Sequence, residues 1–170
     1  MPLGKHSTSW YLSPMAKTLS LQDWEPEPMV NWGITSPRNP VFLAFWLNNV
    51  LGLSLRRSSK DLVIEKDHTN FSFIQYHFVD TIHTFTWFLV ENRSYKTPTR
   101  EATLFGSPEI PIIKRNFRID YLLQVTGEGI DEIEIPWRDL ISKGIVQAGT
   151  LLQLSKKEEQ LLHFEQYETE

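Results

Sequence analysis

Apolar and polar residues alternate most strongly over residues 71–91, where aromatic and β-branched side chains predominate. This pattern predicts a β-hairpin with a two-residue turn at Asp80-Thr81. One face of the predicted hairpin is strongly apolar, and the other is mixed. The apolar face comprises Ile74, Tyr76, Phe78, Phe85, Trp87 and Leu89, with His83 at its rim. Such a sheet has to be covered by helices on its apolar side.

The clearest helical segment is residues 41–51. Ser36 or Asn39 can cap its start, with a proline at the first helical position in either case. Gly52 stands where a left-handed residue commonly ends a helix. Because apolar residues occupy nearly every side, we expect this helix to be sandwiched between other elements rather than laid on the surface.

Further alternation predicts a short strand at residues 29–34, a strand at residues 119–126 and a last, long strand at residues 145–154. A second helix is predicted over residues 130–143, where Pro136 either kinks the helix or marks the start of its regular part. Residues 155–160 are expected to form a charged turn. This order of elements predicts an α+β fold, with a largely antiparallel sheet and two helices packed on one face.

The length of 170 residues fits one domain. We expect residues 1–16 to be a poorly ordered extension, residues 17–165 to form the single α+β domain, and residues 166–170 to be an acidic tail. Either Met1 or Met15 can serve as the start. The chain has no cysteine, no signal-peptide pattern and no apolar run of roughly 18 residues, which favours a cytoplasmic protein without a membrane span.

The net charge of −4 weighs against a protein whose affinity comes from neutralising phosphates, although it leaves room for a local basic patch. The densest basic cluster in the chain is the loop with Arg56, Arg57 and Lys60, and Lys114 and Arg115 are added to it as further candidates. They form a candidate patch for an RNA-associated accessory factor. The alternative is an ordinary solvated loop.

No catalytic signature stands out in the sequence. His77 and His83 are neighbours in the predicted hairpin but lie on opposite faces, which disfavours a shared metal. The carboxylate pairs fall in solvated segments, and there is no phosphate loop, dinucleotide fingerprint or nucleophile elbow. We therefore expect a non-catalytic protein without cofactor or metal, while an unrecognised catalytic site stays open as an alternative.

Aromatic residues outside the predicted core suggest a binding surface. Trp24 stands beside a proline-rich stretch, and the mixed hairpin face carries Phe71, Phe73 and Phe88. Exposed aromatic residues are frequent anchors of interfaces, so these four form a candidate interface for a protein partner or for self-association. Packing of the N-terminal arm against its own domain is the alternative.

The strand at residue 119 opens with Ile119-Asp120-Tyr121. Here the chain resembles the IPExxVDY family of small bacterial proteins, and the resemblance covers residues 29–164. Other matching residues are Leu47-Asn48, Leu51-Gly52 and Asn92-Arg93-Ser94. The resemblance implies a fold but no established activity. Ile112 stands where the family has glutamate, so no role of that glutamate carries over.

Two physical roles are expected at this motif. Asp120 is flanked by Arg118, which predicts an ion pair or a turn acceptor at the entry to the strand. Tyr121 is expected in the core, where its hydroxyl needs a hydrogen-bond partner.

Overall fold

The computed structural model describes residues 27–95 and 109–162. The predicted N-terminal extension, Trp24 and the acidic tail lie outside them. Within the described residues the elements are β1 (Met29–Thr35), α1 (Pro40–Leu51), β2 (Arg56–Arg57), β3 (Leu62–Lys66), β4 (Thr69–Phe73), β5 (Gln75–Asp80), β6 (Phe85–Glu91), β7 (Tyr121–Thr126), α2 (Trp137–Ser142), β8 (Ala148–Leu151) and α3 (Lys156–Leu161). No helix of the described part of the chain is long and apolar enough to cross a membrane.

Six strands form one sheet in the order β2-β5-β6-β7-β1-β8, and every neighbouring pair is antiparallel. Strands β3 and β4 form a separate antiparallel hairpin. The prediction of a single α+β domain with a largely antiparallel sheet is confirmed.

The central hairpin forms between β5 and β6, but its register differs from the predicted one. Asp80 pairs with Phe85, and Tyr76 pairs with Leu89. A turn at Asp80-Thr81 would instead have placed Phe85 opposite Tyr76. Because side chains along a strand alternate with a period of two, this shift by an even number of residues leaves every side chain on its predicted face.

The side chain of Asp80 accounts for the longer turn. Its Oδ1 accepts hydrogen bonds from the backbone N–H groups of Ile82 at 3.0 Å and His83 at 3.2 Å. Thr84 then adopts a left-handed conformation with φ of 59°. Aspartate commonly bonds the backbone two residues ahead, which supports a wide loop here rather than a two-residue turn.

Two apolar cores lie on opposite faces of the sheet. The first core lies under α1 and α2, which contribute Leu43, Leu47 and Leu140 to it, so both predicted helices cover the same face. The second core is covered by the β3–β4 hairpin, by residues 110–119 and by Leu162 at the end of α3. The protein is therefore built in three layers.

The predicted charged turn at residues 155–160 is a helix instead, namely α3. The Ser155 side chain accepts from the backbone N–H of Glu158, and the Glu158 carboxylate accepts from the backbone N–H of Ser155. This reciprocal capping box satisfies backbone donors at the helix start and allows a short, highly charged helix to form.

The region around α2 and β8 is shorter and more irregular than predicted. A 3-10 turn at Ile130–Glu132 precedes α2, and Pro136 stands directly before the first helical residue. The second of the two alternatives for Pro136 is thus correct. β8 comprises only Ala148–Leu151, because the N–H groups of Ile145 and Val146 bond to α2 rather than to a strand.

Helix α1 has the predicted start and end but a different environment. Asn39 caps it through the N–H of Phe42, and Gly52 adopts the left-handed conformation at its end. Leu43, Ala44 and Leu47 are buried against the sheet, whereas residues on the other side are exposed. The expectation that α1 is sandwiched is therefore wrong, because the sheet covers only one of its sides.

Candidate functional site: a cleft at the start of helix α1

A cleft of about 660 Å³ opens beside the first residues of α1. Four segments line it: residues 36–40 before and at the start of α1, residues 91–93 after β6, residues 109–111, and residues 118–121 leading into β7. The volume falls within the range of roughly 300–1,000 Å³ that is usual for ligand pockets. The cleft thus contains the predicted motif Ile119-Asp120-Tyr121.

Asp120 fulfils both roles expected of it. Its Oδ1 accepts from Arg118 Nε at 2.7 Å, and its Oδ2 accepts from the backbone N–H of Ser36 at 3.0 Å. The Tyr121 hydroxyl donates to the backbone oxygen of Arg38 at 2.6 Å. Burial raises the pKa of Tyr121, and the Glu91 and Asp120 carboxylates add to the rise, so this hydroxyl keeps its proton. The motif therefore attaches the start of β7 to the start of α1.

The buried amide of Asn92 holds the far wall of the cleft. Its Nδ2 donates to the backbone oxygens of Ile113 at 2.8 Å and Ile119 at 3.0 Å, and its Oδ1 accepts from the N–H of Ile113 at 2.9 Å. Two residues later, Ser94 exchanges two hydrogen bonds with the backbone of Ile110. These contacts fix the irregular segment at residues 110–119, which contains no helix or strand.

The charged side chains of the cleft are mostly paired with one another. Arg93 Nε lies 3.4 Å from a carboxylate oxygen of Glu109, and both side chains are largely exposed. Arg118 forms the 2.7 Å pair with Asp120. The exposed Arg93–Glu109 pair contributes little to stability, whereas the Asp120 side chain of the second pair is only 11% exposed. Together the two pairs neutralise two of the three arginines of the lining.

The third arginine, Arg38, is bound differently. Its guanidinium donates to the backbone oxygen of Gly144 at 3.2 and 3.3 Å and lies 5.0 Å from the centre of the Phe42 ring. These contacts direct the charged group to the end of α2 and to the outer side of α1.

Among the described residues of the lining, Glu91 is the acid without a partner. Its carboxylate makes no hydrogen bond or ion pair with any residue that the structure describes. Burial raises its pKa; Arg93 acts in the opposite direction, and Glu109 and Asp120 raise it further. In the sequence, Glu91 stood out only as the last residue of the predicted hairpin. The one feature that could have drawn attention to it is an acidic residue at the end of an apolar strand.

The predicted aromatic interface is largely internal. Phe73 is fully buried and Phe88 is 5% exposed, and both belong to the second core, while Phe71 is partly buried against it. Trp24 lies outside the described residues. The β3–β4 hairpin and residues 110–119 cover this face, which corrects the expectation that Phe71, Phe73 and Phe88 offer a surface to a partner.

The predicted basic residues do not form one patch. Arg56-Arg57 forms β2 at one edge of the sheet, and Lys60 follows in the loop before β3. Arg115, next to Lys114, donates to the backbone oxygen of Gln153 just beyond β8, which is the opposite edge. Five strand spacings, about 24 Å, separate the two edges. The sequence could not reveal this separation because it depends on strand order.

Two of these basic residues are also neutralised within the fold. Arg57 forms an ion pair with Asp61. Arg115 binds both carboxylate oxygens of Glu158, at 2.6 and 3.1 Å, and holds the pKa of Glu158 at about 2.

The two hairpin histidines have separate partners. His77 Nδ1 lies 3.0 Å from Ser58 Oγ, and His83 Nδ1 lies 2.7 Å from a carboxylate oxygen of Asp80. In the described part of the chain, no three His, Cys, Asp or Glu side chains are grouped so that they could hold a metal ion.

Comparison with protein-family models, with curated proteins and with solved structures finds no match for this chain. Membership of the IPExxVDY family and a cytoplasmic location therefore stay predictions from the sequence.

Asn92→Ala is expected to destabilise the fold by about 2–4 kcal/mol, because it leaves buried backbone groups of Ile113 and Ile119 without partners. Urea unfolding followed by tryptophan fluorescence measures the loss, and amide exchange at Ile113 should accelerate. Asn70→Ala removes an exposed amide and serves as the control. Equal stability of the two variants would contradict the assigned role of Asn92.

Glu91→Gln is expected to stabilise the protein at neutral pH. The folded-state pKa of Glu91 lies above its ordinary value of 4.5, so the folded protein holds the proton more tightly than the unfolded chain. The ionised Glu91 side chain therefore destabilises the fold fully at pH values above its folded-state pKa, and this effect disappears below pH 4.5. Thermal unfolding of the unaltered protein and of Glu91→Gln is measured from pH 4.5 upward, with the exposed Glu128→Gln as control. The unfolding temperature of Glu91→Gln should exceed that of the unaltered protein by an amount that grows as the pH rises. A difference in unfolding temperature that is independent of pH would contradict the claim that ionised Glu91 destabilises the fold.

Proposed function

We propose that this protein is a non-catalytic protein-binding domain that uses the outer side of α1. The α1 face is defined here as the exposed residues Val41, Phe42, Phe45 and Asn49. Val41 is 66% exposed, Phe42 37% and Phe45 58%, and this exposure is the observation that carries the proposal. Adjacent exposed apolar side chains mark interaction sites far more often than single ones do.

The shape of the α1 face suits a partner helix. Val41, Phe45 and Asn49 follow one another at a spacing of four residues and form a ridge that fits the groove of another helix. The rings of Phe42 and Phe45 pack against Trp46, with centroids 6.1 and 5.8 Å away. Aromatic side chains held in this way are efficient interface anchors, since little freedom is lost when a partner binds.

Charge complementarity favours one kind of helix. α1 contains no charged residue, but Arg38 lies over the Phe42 ring at 5.0 Å and Lys143 over the Trp46 ring at 6.0 Å. These two cations border the α1 face. The expected partner is thus an amphipathic helix of another protein, with acidic residues beside its apolar stripe. A second copy of this chain fits less well, because it would bring the same two cations into one interface.

The RNA-associated alternative receives no specific support. Its basic residues lie at opposite edges of the sheet, and Arg57 and Arg115 are paired with carboxylates. Salt-sensitive RNA binding requires several cations that reach the phosphates together.

The test compares proteins captured from native lysate by the unaltered chain, by Phe45→Glu and by Val79→Glu. Val79 is 49% exposed and lies on β5, pointing to the opposite face of the sheet from Tyr76 and the first core, so it is a matched control. A captured protein is then purified and titrated against all three. We expect a one-to-one complex that Phe45→Glu weakens at least about 30-fold and Val79→Glu leaves unchanged.

Three results would contradict the proposal. The first is capture of the same proteins by Phe45→Glu as by the unaltered chain. The second is equal weakening by Val79→Glu. The third is a concentration-dependent dimer in sedimentation that Phe45→Glu abolishes, since the α1 face would then belong to a second copy of the chain.

A further inference from the structure

The geometry points to the cleft as the receptor for a basic side chain, arginine or lysine, of the protein that binds the α1 face, with Glu91 as its counter-ion. This inference rests on the proposed function, because the side chain belongs to the same partner. It adds the chemistry of a second contact, which the apolar ridge of α1 does not specify.

The cleft lining has three arginines and three acids, but the pairing among them leaves a carboxylate available and therefore favours a cation over an anion. Arg93 and Arg118 are paired with Glu109 and Asp120, and the Arg38 guanidinium is bound to the backbone of Gly144. An anion in the cleft would have to displace Glu109 or Asp120, because the Arg38 guanidinium is directed to the outer side of α1, where it borders the α1 face. A cation finds the Glu91 carboxylate already without a partner among the described residues.

The unpaired state of Glu91 is costly for the isolated protein. A partly buried carboxylate loses hydration, and the charge of Arg93 offsets only part of that loss, because no described residue forms a hydrogen bond or ion pair with Glu91. A bound guanidinium or ammonium group supplies charge-assisted hydrogen bonds at this position. Binding therefore relieves an unfavourable interaction as well as forming a new one, which is how a site can hold a single side chain firmly.

The position of the cleft connects it to the α1 face. Residues 37–40 line the cleft, and Val41 and Phe42 of the α1 face follow immediately in the chain. A helix that lies on the α1 face and continues past the first turn of α1 would come to residues 37–40 of the cleft lining. Its terminal basic residue can then reach Glu91 while its apolar stripe contacts Phe45.

The cleft is tested with three small probes: the Nα-acetyl amides of arginine, lysine and norleucine, the last being the neutral analogue. Backbone amide resonances of Asn92, Arg93 and Asp120 report binding in the unaltered protein, in Glu91→Gln and in Glu128→Gln. Both cationic probes are expected to give saturable shifts that the norleucine amide does not give. Glu91→Gln should weaken them about tenfold, the loss of one charge-assisted hydrogen bond, and Glu128→Gln should have no effect.

The inference is overturned if the cationic probes cause no saturable shift, if the norleucine amide shifts the same resonances equally, or if Glu91→Gln leaves the affinity unchanged. Failure of the proposed function would be seen in partner binding to Phe45→Glu and not in probe binding. Phe45→Glu should bind the cationic probes normally, because the probes occupy only the cleft. A partner that is lost by Phe45→Glu but bound by Glu91→Gln with unchanged affinity would leave the proposed function intact and refute the basic side chain.

Discussion

The side-chain amide of Asn92 is the interaction on which both the second core and the cleft depend. The residue is 4% exposed, and its amide satisfies three backbone groups of a segment that has no helix or strand of its own. Each such group would cost about 1–3 kcal/mol if it were buried unpaired. Together with the Ser94 contacts to Ile110, this side chain holds residues 110–119 across the sheet. As a consequence Ile113 enters the second core, and the wall of the cleft is formed.

The features assigned to binding are not features that stabilise the fold. Glu91 is a partly buried carboxylate without a partner among the described residues. Phe45 exposes more than half of its surface, although buried apolar residues are what stabilise a domain. Proteins are seldom optimised for stability, and local departures from good packing and pairing concentrate at functional sites. Glu91 lies in the cleft beside the start of α1 and Phe45 on the outer side of the same helix, whereas core residues of α1 such as Leu47 are fully buried.

Local patterns made part of this structure predictable. The faces of the central hairpin followed from alternation alone, and the ends of α1 followed from Asn39 and Gly52. The hairpin register did not, because the side chain of Asp80 sets the turn. A helix that is apolar all round also does not reveal which side the sheet will cover, and the exposure of Phe45 could not be foreseen. The helix α3 could have been predicted from the sequence, since Ser155 and Glu158 have the spacing of a capping box.

The cleft was less predictable because it combines four segments that are far apart in the sequence. Resemblance singled out Ile119-Asp120-Tyr121, and the hydrogen-bond partners of Asp120 and Tyr121 confirm the structural roles expected of them. Glu91 became noticeable only when the fold showed which carboxylates are paired.

Binding of a partner protein to the α1 face is tested most directly by photo-crosslinking in living cells from a benzoylphenylalanine at position 45, with position 79 as the reference. We expect a discrete crosslinked protein from position 45 alone. Equal products from both positions, or none from position 45, would contradict a binding role of the α1 face.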